Sequence, residues 1–548
     1  MRAKLAQHTR AAVPEGAPSL RPLLAIAAAL ECLFLWLMAV APVGGVAQSI
    51  SPLARAWPIL LTPARLVFGD ALVNGSLPPA RGWPALALFA VLLVAASCVA
   101  ALVIPVARVG LIARRRPPDA HGSGVAGWWR RTTDDQRRLA LALGVTAVLG
   151  LTLVLLPSLP SDDVFSYILY GRISVVHHAN PLVTAPSAFP HDPFLTLVFW
   201  QGTRAVYGPA WLLLSAAVTG LAEALGGALA TYVLLFKLLG LGAHLANAAL
   251  IWAILGRIAP DRRLLGTLLY AWNPLCLLEF CASAHNDAVM LTGALLGVYW
   301  LTRGWEVAAL VAFGLSISIK YVWLALLPLY FLLVVRARLR QGESAGAIAR
   351  ALAWRAGVVV GVVALTALPY WAGPATLSGI VYSPPAQQLD NSLLEALSWP
   401  LRARAQALGL APAAAKSAVD ALLKLGTLAL FAWLWLRAAR RVGDLPSLLD
   451  SWAWVLVAYV VIASGWFWPW YVTWPVALVA LLPVGELTIA VLLLAGGVLT
   501  LYAFLPLYAA PVYGLRAWLA FGPAVGYLLY QRRALLRAWL RLPRVRAR

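Results

Sequence analysis

Residues 159–209 read LPSDDVFSYILYGRISVVHHANPLVTAPSAFPHDPFLTLVFWQGTRAVYGP. This stretch follows a strongly apolar run, 139–156, that stops at Pro157, and two adjacent carboxylates, Asp162 and Asp163, come straight after it. Ionisable groups at the lip of an apolar helix are costly to keep near hydrocarbon, so their presence marks function. Tyr167, Tyr170, Arg172, His177, His178, Asn180, His191 and Asp192 share the stretch, which holds three of the seven histidines of the chain. It reads as a polar site at a membrane surface.

Composition agrees. The 548 residues are 62% hydrophobic and 12% charged, half the charge of an ordinary soluble domain, and mean hydropathy is +0.81. That is an all-α integral membrane protein built of many spans. The net charge of +22 comes from arginines gathered in a few loops between apolar runs, a pattern of topology signals that argues against nucleic acid as a partner. Cys32, Cys98, Cys276 and Cys281 all fall in apolar segments and read as small buried hydrophobes, with neither a disulfide framework nor zinc spacing. Val46–Gln48 faintly resembles a cleavage site, but the many spans downstream favour an uncleaved first helix.

The densest basic loops are 108–138, 336–355, 437–441 and the tail 532–548. The positive-inside rule puts all four, and the N-terminus, in the cytoplasm. Spans at 21–42, 83–107 and 139–156 then leave Asp162 and Asp163 on the outer face. Residues 208–225 and 230–256 both look able to cross, yet the basic loop 257–263 needs an odd number of crossings. The expectation is that 208–225, opening with Tyr207-Gly208-Pro209, is a juxtamembrane or re-entrant helix of the outer loop. Irregular backbone at that depth is tolerated where it lines a cavity. Spans at 263–282, 287–303, 305–318, 321–336, 356–372, 416–436, 450–464, 469–483, 487–505 and 515–530 complete about fourteen helices.

This topology gathers several polar groups on the outer face, none of which was used to choose it. They are Asp162/Asp163, His285-Asn286-Asp287, Lys320, the loop carrying Tyr382, Gln387, Gln388, Asp390 and Asn391, and the aromatic turn 465–471. Each has a plainer reading. One Asp of the pair could cap a helix over 164–175, although the second still needs a reason. His285-Asn286-Asp287 could be only a polar turn, or could share a metal with the Asp pair. Lysine is rare here, five residues beside the many arginines. Lys320, at the end of an apolar run, therefore suits a point charge for phosphate, or a snorkelling side chain. Arg204 is a further cation of the loop. Trp466, Trp468, Trp470, Tyr471 and Trp474 suit an interfacial belt, or stacking on sugar rings. Glu31, Lys237, His244 and Asn247 lie within spans and predict interhelical hydrogen bonds.

These residues also form a known pattern. Asp163-Val-Phe-Ser-Tyr-x-x-x-Gly171-Arg172, then Asn180-Pro181 and Tyr207-Gly208-Pro209, resembles the bacterial polyprenol-phosphate-mannose-dependent mannosyltransferases of the GT-C superfamily, in their α-1,6 branch. Asn273-Pro274, Glu279, His285-Asn286-Asp287 and Ile319-Lys320 extend the resemblance over about 140–480. The loop departs from the pattern in its second Asp and in His177-His178.

The resemblance implies a GT-C fold. Its parts are a cytoplasmic N-terminus (1–20), two leading spans with a basic loop (21–138) and a catalytic core (139–483) with outer loops 158–229 and 373–415. C-terminal spans (484–531) and a basic tail (532–548) follow. It implies Asp163 as the catalytic carboxylate, with Asp162 beside it, and Lys320, Arg172 and His285 at a donor phosphate. Tyr167, Tyr207, Asn286, Asp287, Trp468 and Tyr471 would line the substrate. The expected activity is inverting transfer of a hexose from a polyprenyl-phosphate sugar to a glycan or glycolipid on the outer face of a bacterial inner membrane. No cofactor is required, and a divalent metal has no supporting ligand set. A flippase of lipid-linked saccharide and a lipid-linked glycan ligase are the rival readings; transporters tend to show repeats and midplane charges, and no repeat is evident.

Overall fold

The computed structural model describes residues 20–42, 49–70, 79–110, 134–377, 389–507 and 511–533. Tyr382, Gln387 and Gln388, the N-terminal segment, most of the 108–138 loop and the tail from 534 lie outside them. The described chain is all helix and turn apart from one two-residue strand pairing, Ser49–Ile50 with Ser158–Leu159, and isolated bridges at Ala372–Pro374 and Asp390–Trp466. That pairing ties the segment following the first helix to the backbone just ahead of Asp162.

Nine helices among the described residues are long and apolar enough to cross a membrane: Arg21–Val40, Pro84–Ala107, Asp135–Val154, Leu229–Ile258, Tyr321–Arg340, Ala345–Tyr370, Pro412–Arg441, Leu445–Ala463 and Glu486–Leu507. The expected count is about fourteen; the nine rise to ten if a bent pair is one span, and two of the remaining expected spans have local reasons for falling short. The run 263–282 is not one rod. It bends by 51° between Pro260–Ala271 and Pro274–Ala282, because Pro274 supplies no N–H to the helix. The Asn273 side chain caps the new start instead, accepting from Leu275 N at 3.0 Å. Residues 305–318 form a helix, Glu306–Ile319, of only 14 residues, about 21 Å at 1.5 Å per residue. Residues 208–225, set aside as non-crossing, form the 16-residue apolar helix Pro209–Ala224.

Three elements position the site. We label Asp163–Val175 α1, Asp287–Arg303 α2 and Glu306–Ile319 α3. Gly304, left-handed at φ +74°, closes α2 and turns the chain into α3. The two then pack side by side, so the start of α2 (Asp287) and the residue after α3 (Lys320) share one end of the bundle. The opposite end carries arginines of two basic loops: Arg257 donates to Thr302 O, and Arg336 to Ala439 O. Polar chemistry and basic loops thus lie at opposite ends of the same helices.

Intramembrane polar residues pair across helices as expected. Lys237 Nζ donates to Val154 O (3.0 Å), His244 Nε2 contacts Ala271 O (3.0 Å), Asn247 donates to the Tyr270 hydroxyl (2.9 Å), and Thr152 donates to Glu31 (2.5 Å). Cys276 and Cys281 are buried; Cys32 and Cys98, expected inside, lie on exposed helix faces.

Two motif glycines have steric reasons. A Cβ on Gly171 would meet Thr219 Oγ1 at 2.1 Å, and one on Gly208 would meet Ser318 O at 2.1 Å. Gly208 N also donates to Ile319 O (3.0 Å), clamping Tyr207 beside Lys320. Gly208→Ala should destabilise the protein by about 1–3 kcal/mol through overpacking against backbone. The check is a lowered thermal unfolding midpoint in detergent.

Candidate active site

Asp163 opens α1 with its side chain turned away from capping. Asp162 takes the N-cap position without a side-chain cap bond, so neither carboxylate serves the plain capping role. The Tyr207 hydroxyl donates to Asp163 Oδ2 at 3.1 Å, and His285 Nδ1 lies 3.8 Å from the same oxygen. Tyr167, fully buried, packs edge-on against Tyr207 and Trp211, with its hydroxyl 3.4 Å from His285 Nδ1. Side chains 44 and more than 100 residues apart therefore converge on one carboxylate.

A quarter of the Asp163 side chain is still accessible, but its carboxyl is ringed by protein. Burial pushes it up to about 6, against the opposing pull of Lys320 and the Tyr207 hydrogen bond; Asp287 and Asp162 raise it further. A carboxylate so placed is mostly ionised at neutral pH yet accepts a proton far more readily than a solvated one.

Lys320 sits beside it. Its Nζ lies 2.9 Å from both oxygens of Asp287, which is buried and also accepts from Trp474 Nε1 at 2.5 Å. The ammonium rests over the rings of Tyr471 (5.2 Å) and Trp474 (5.5 Å). Lys320, expected as a point charge for phosphate or as a snorkelling side chain, is half of an ion pair whose cationic end remains partly exposed. Asp287 is its counter-ion. Asn286 is wholly buried, and neither end of its side-chain amide has a partner. Such a group is costly to leave unpaired and suits a ligand hydroxyl.

His285 is held from three sides. Its ring stacks on Trp470 at 3.9 Å, and Nε2 lies 3.3 Å from Glu279 Oε2. Glu279 in turn accepts from the Tyr502 hydroxyl at 2.7 Å. Glu279 belonged to the motif pattern but had no assigned role, and Tyr502 gave no signal in the sequence. Trp468, partly exposed, stacks flat on Trp470.

Arg172 does not join this cluster, which corrects its expected place at a donor phosphate. Its guanidinium is buried against Asp192 (2.9 Å), Glu223 (2.5 Å) and Tyr232 (3.1 Å). Asp192 also meets His177 Nε2 at 2.7 Å. This network fixes the outer loop onto its neighbouring helices, and Asn180 adds a bond to Tyr370 O. Among the described residues no group of three or more His, Cys, Asp or Glu could hold a metal ion. Asp287 and His285, once candidates to share one with the Asp pair, are engaged as above.

Residues 120–338, which carry Asp163, His285, Asp287 and Lys320, match the family of "Alpha-(1->6)-mannopyranosyltransferase, N-terminal domain". The motif resemblance holds. A Mycolicibacterium smegmatis protein described as a probable alpha-(1->6)-mannopyranosyltransferase is 27% identical over 223 residues, 38% of this chain and 39% of that one. The chain thus aligns with well under half the length of this curated relative.

Asp192 is held below the usual carboxylate range: burial would raise it, but the Phe194 N–H, His177 and Arg172 together outweigh that. A depressed folded-state value contributes stability above the unfolded value, about 3.9, and loses it as pH falls through the folded value. Asp192→Asn should therefore cost about 2–3 kcal/mol at neutral pH, less in strong acid, read from unfolding at several pH values.

Proposed function

We propose that this protein is an inverting mannosyltransferase that moves mannose from a polyprenyl-phosphate carrier to a glycan or glycolipid hydroxyl on the outer face of the bacterial inner membrane. The carrying observation is the Asp163 carboxylate, partly open, near-neutral and under the pull of the Lys320 cation, at the end of the bundle opposite the basic loops of Arg257 and Arg336. Sugar identity rests on the family match; outer placement rests on the positive-inside rule. The GT-C fold is part of the same proposal.

Asp163 takes the acceptor hydroxyl proton as that oxygen bonds to the anomeric carbon. The bond from the anomeric carbon to the phosphate oxygen breaks on the opposite side, and the lipid phosphate leaves as an anion. No general acid is needed there, since a phosphate is stable as an anion. Lys320, with protons beyond those it gives Asp287, stabilises the charge as it develops. Tyr207 orients the base, His285 lines it, and the unpaired Asn286 amide, Trp468 and Tyr471 hold sugar. This is half of the inverting carboxylate pair of glycoside hydrolysis, with a sugar hydroxyl replacing water.

The test uses purified full-length protein, a short-chain polyprenyl-phosphate-mannose and a small mannoside. Wild type should yield a disaccharide whose anomeric configuration is opposite to the donor's. Asp163→Asn should lower the rate by a factor of about 10² to 10⁴ while still binding both substrates. Near-normal activity in that variant would discard the assignment, and lipid movement in liposomes without product would favour a flippase.

The base must be ionised, so kcat/KM should rise with pH through about 6 and level above it. Lys320 holds that value down; Lys320→Gln should move the acidic limb to higher pH as well as slow the reaction. A limb that stays in place would separate Lys320 from the base.

A further inference from the structure

A row of aromatic rings leads out of the site. His285 stacks on Trp470 (3.9 Å), and Trp470 on Trp468 (5.2 Å, 6° between planes); Trp466 meets Trp468 (6.1 Å). Trp200, from the first outer loop, meets Trp466 at 5.8 Å, and Phe199 meets Trp200 at 4.8 Å. Phe199 is 79% exposed. The row thus runs unbroken from an imidazole beside the Asp163 carboxylate to open surface.

The turn bearing the three central rings is pinned rather than loose. Asp390 N donates to Gly465 O (2.8 Å), Phe467 N donates to Asp390 O (3.0 Å), and Ser392 Oγ donates to Gly465 O (2.9 Å). The Asp390 backbone is therefore fixed alongside Trp466, and its carboxylate is about a third exposed. Arg516 approaches it only at 3.8 Å and spends its shorter contacts on Glu395 and Asn391. An interfacial belt scatters rings around a bundle at headgroup depth. Here two loops more than 260 residues apart bring their rings into contact, in a chain of neighbours that ends at His285 beside the reacting carboxylate. Ring faces suit the C–H faces of sugars, and a partly exposed carboxylate accepts from their hydroxyls. A hydrocarbon tail would cover Asp390 without offering it a donor, at a desolvation cost.

We propose that Phe199, Trp200 and Trp468, backed by the buried Trp466 and Trp470 and flanked by Asp390, form a track for an oligosaccharide acceptor several residues long, feeding its end to Asp163. The proposal rests on the transferase reading for its chemistry, and on the rings and carboxylate alone for its ligand. It makes chain length a determinant of acceptor choice.

The experiment compares α-1,6-linked mannobiose and mannotetraose. Binding without donor is followed by saturation-transfer NMR, and transfer by steady-state kinetics, for wild type, Trp200→Leu and Asp390→Asn. Trp200→Leu should raise Kd and KM for the tetrasaccharide about tenfold, the worth of one stacking contact, with a much smaller change for the disaccharide and none in donor KM. Asp390→Asn, which keeps shape and backbone bonds, should show the same bias. An equal loss for both lengths, a rise in donor KM instead, or no tetrasaccharide binding by wild type would overturn the track. Length-biased saccharide binding without any transfer would support the track while discarding the transferase reading.

Discussion

The ion pair between Lys320 and Asp287 is the constraint on which the site depends. Removing two charges from water costs several kcal/mol each, and their attraction repays this only with good geometry and further hydrogen bonds. Both conditions are met: Nζ addresses both carboxylate oxygens at 2.9 Å, and Trp474 Nε1 supplies another donor. The pair joins the start of one helix to the end of the next and fastens both to the aromatic segment 466–474. Tyr207-Gly208, resting on the backbone at Ser318–Ile319, then brings the first outer loop to the same point. Three regions of sequence are registered around one charge.

That registration explains why so much of the site was legible before any coordinates. Asp163, His285, Asn286, Asp287, Lys320 and the tryptophans are residues that membrane proteins place sparingly, and each sits at the end of an apolar run. Hydropathy fixes which ends lie together, so polar residues at corresponding ends must meet. The same reasoning placed Lys237, His244 and Asn247 in interhelical bonds.

What was not legible has equally physical reasons. Hydropathy counts apolar length and does not see a helix broken at Asn273-Pro274 or one that stops short at Ile319, so expected spans and long apolar helices differ there. Arg172 was assigned to phosphate because it is a cation near the base; its true partners, Asp192 and Glu223, come 20 and 51 residues later on the far side of α1. Short-range pattern says nothing about which of several outer-loop charges neutralise one another. Tyr502, reaching Glu279 across 223 residues, illustrates the same limit.

Charge balance joins the fold to the proposed chemistry. Before transfer the site holds Asp163 and Asp287 as anions, Lys320 as a cation, and a donor phosphate carrying one negative charge. As the acceptor proton moves onto Asp163, that carboxylate becomes neutral while the leaving phosphate gains a charge. Negative charge is thus relocated within the site, with no net increase, and Lys320 interacts with both positions. In a low-dielectric setting, where an uncompensated charge is expensive, this exchange keeps the net charge around Lys320 constant through the proposed transfer. It also accounts for a base near neutrality. A higher proton affinity lets the base take the acceptor's proton more readily, and burial of Asp163 supplies it against the opposing pull of Lys320 and the Tyr207 hydrogen bond.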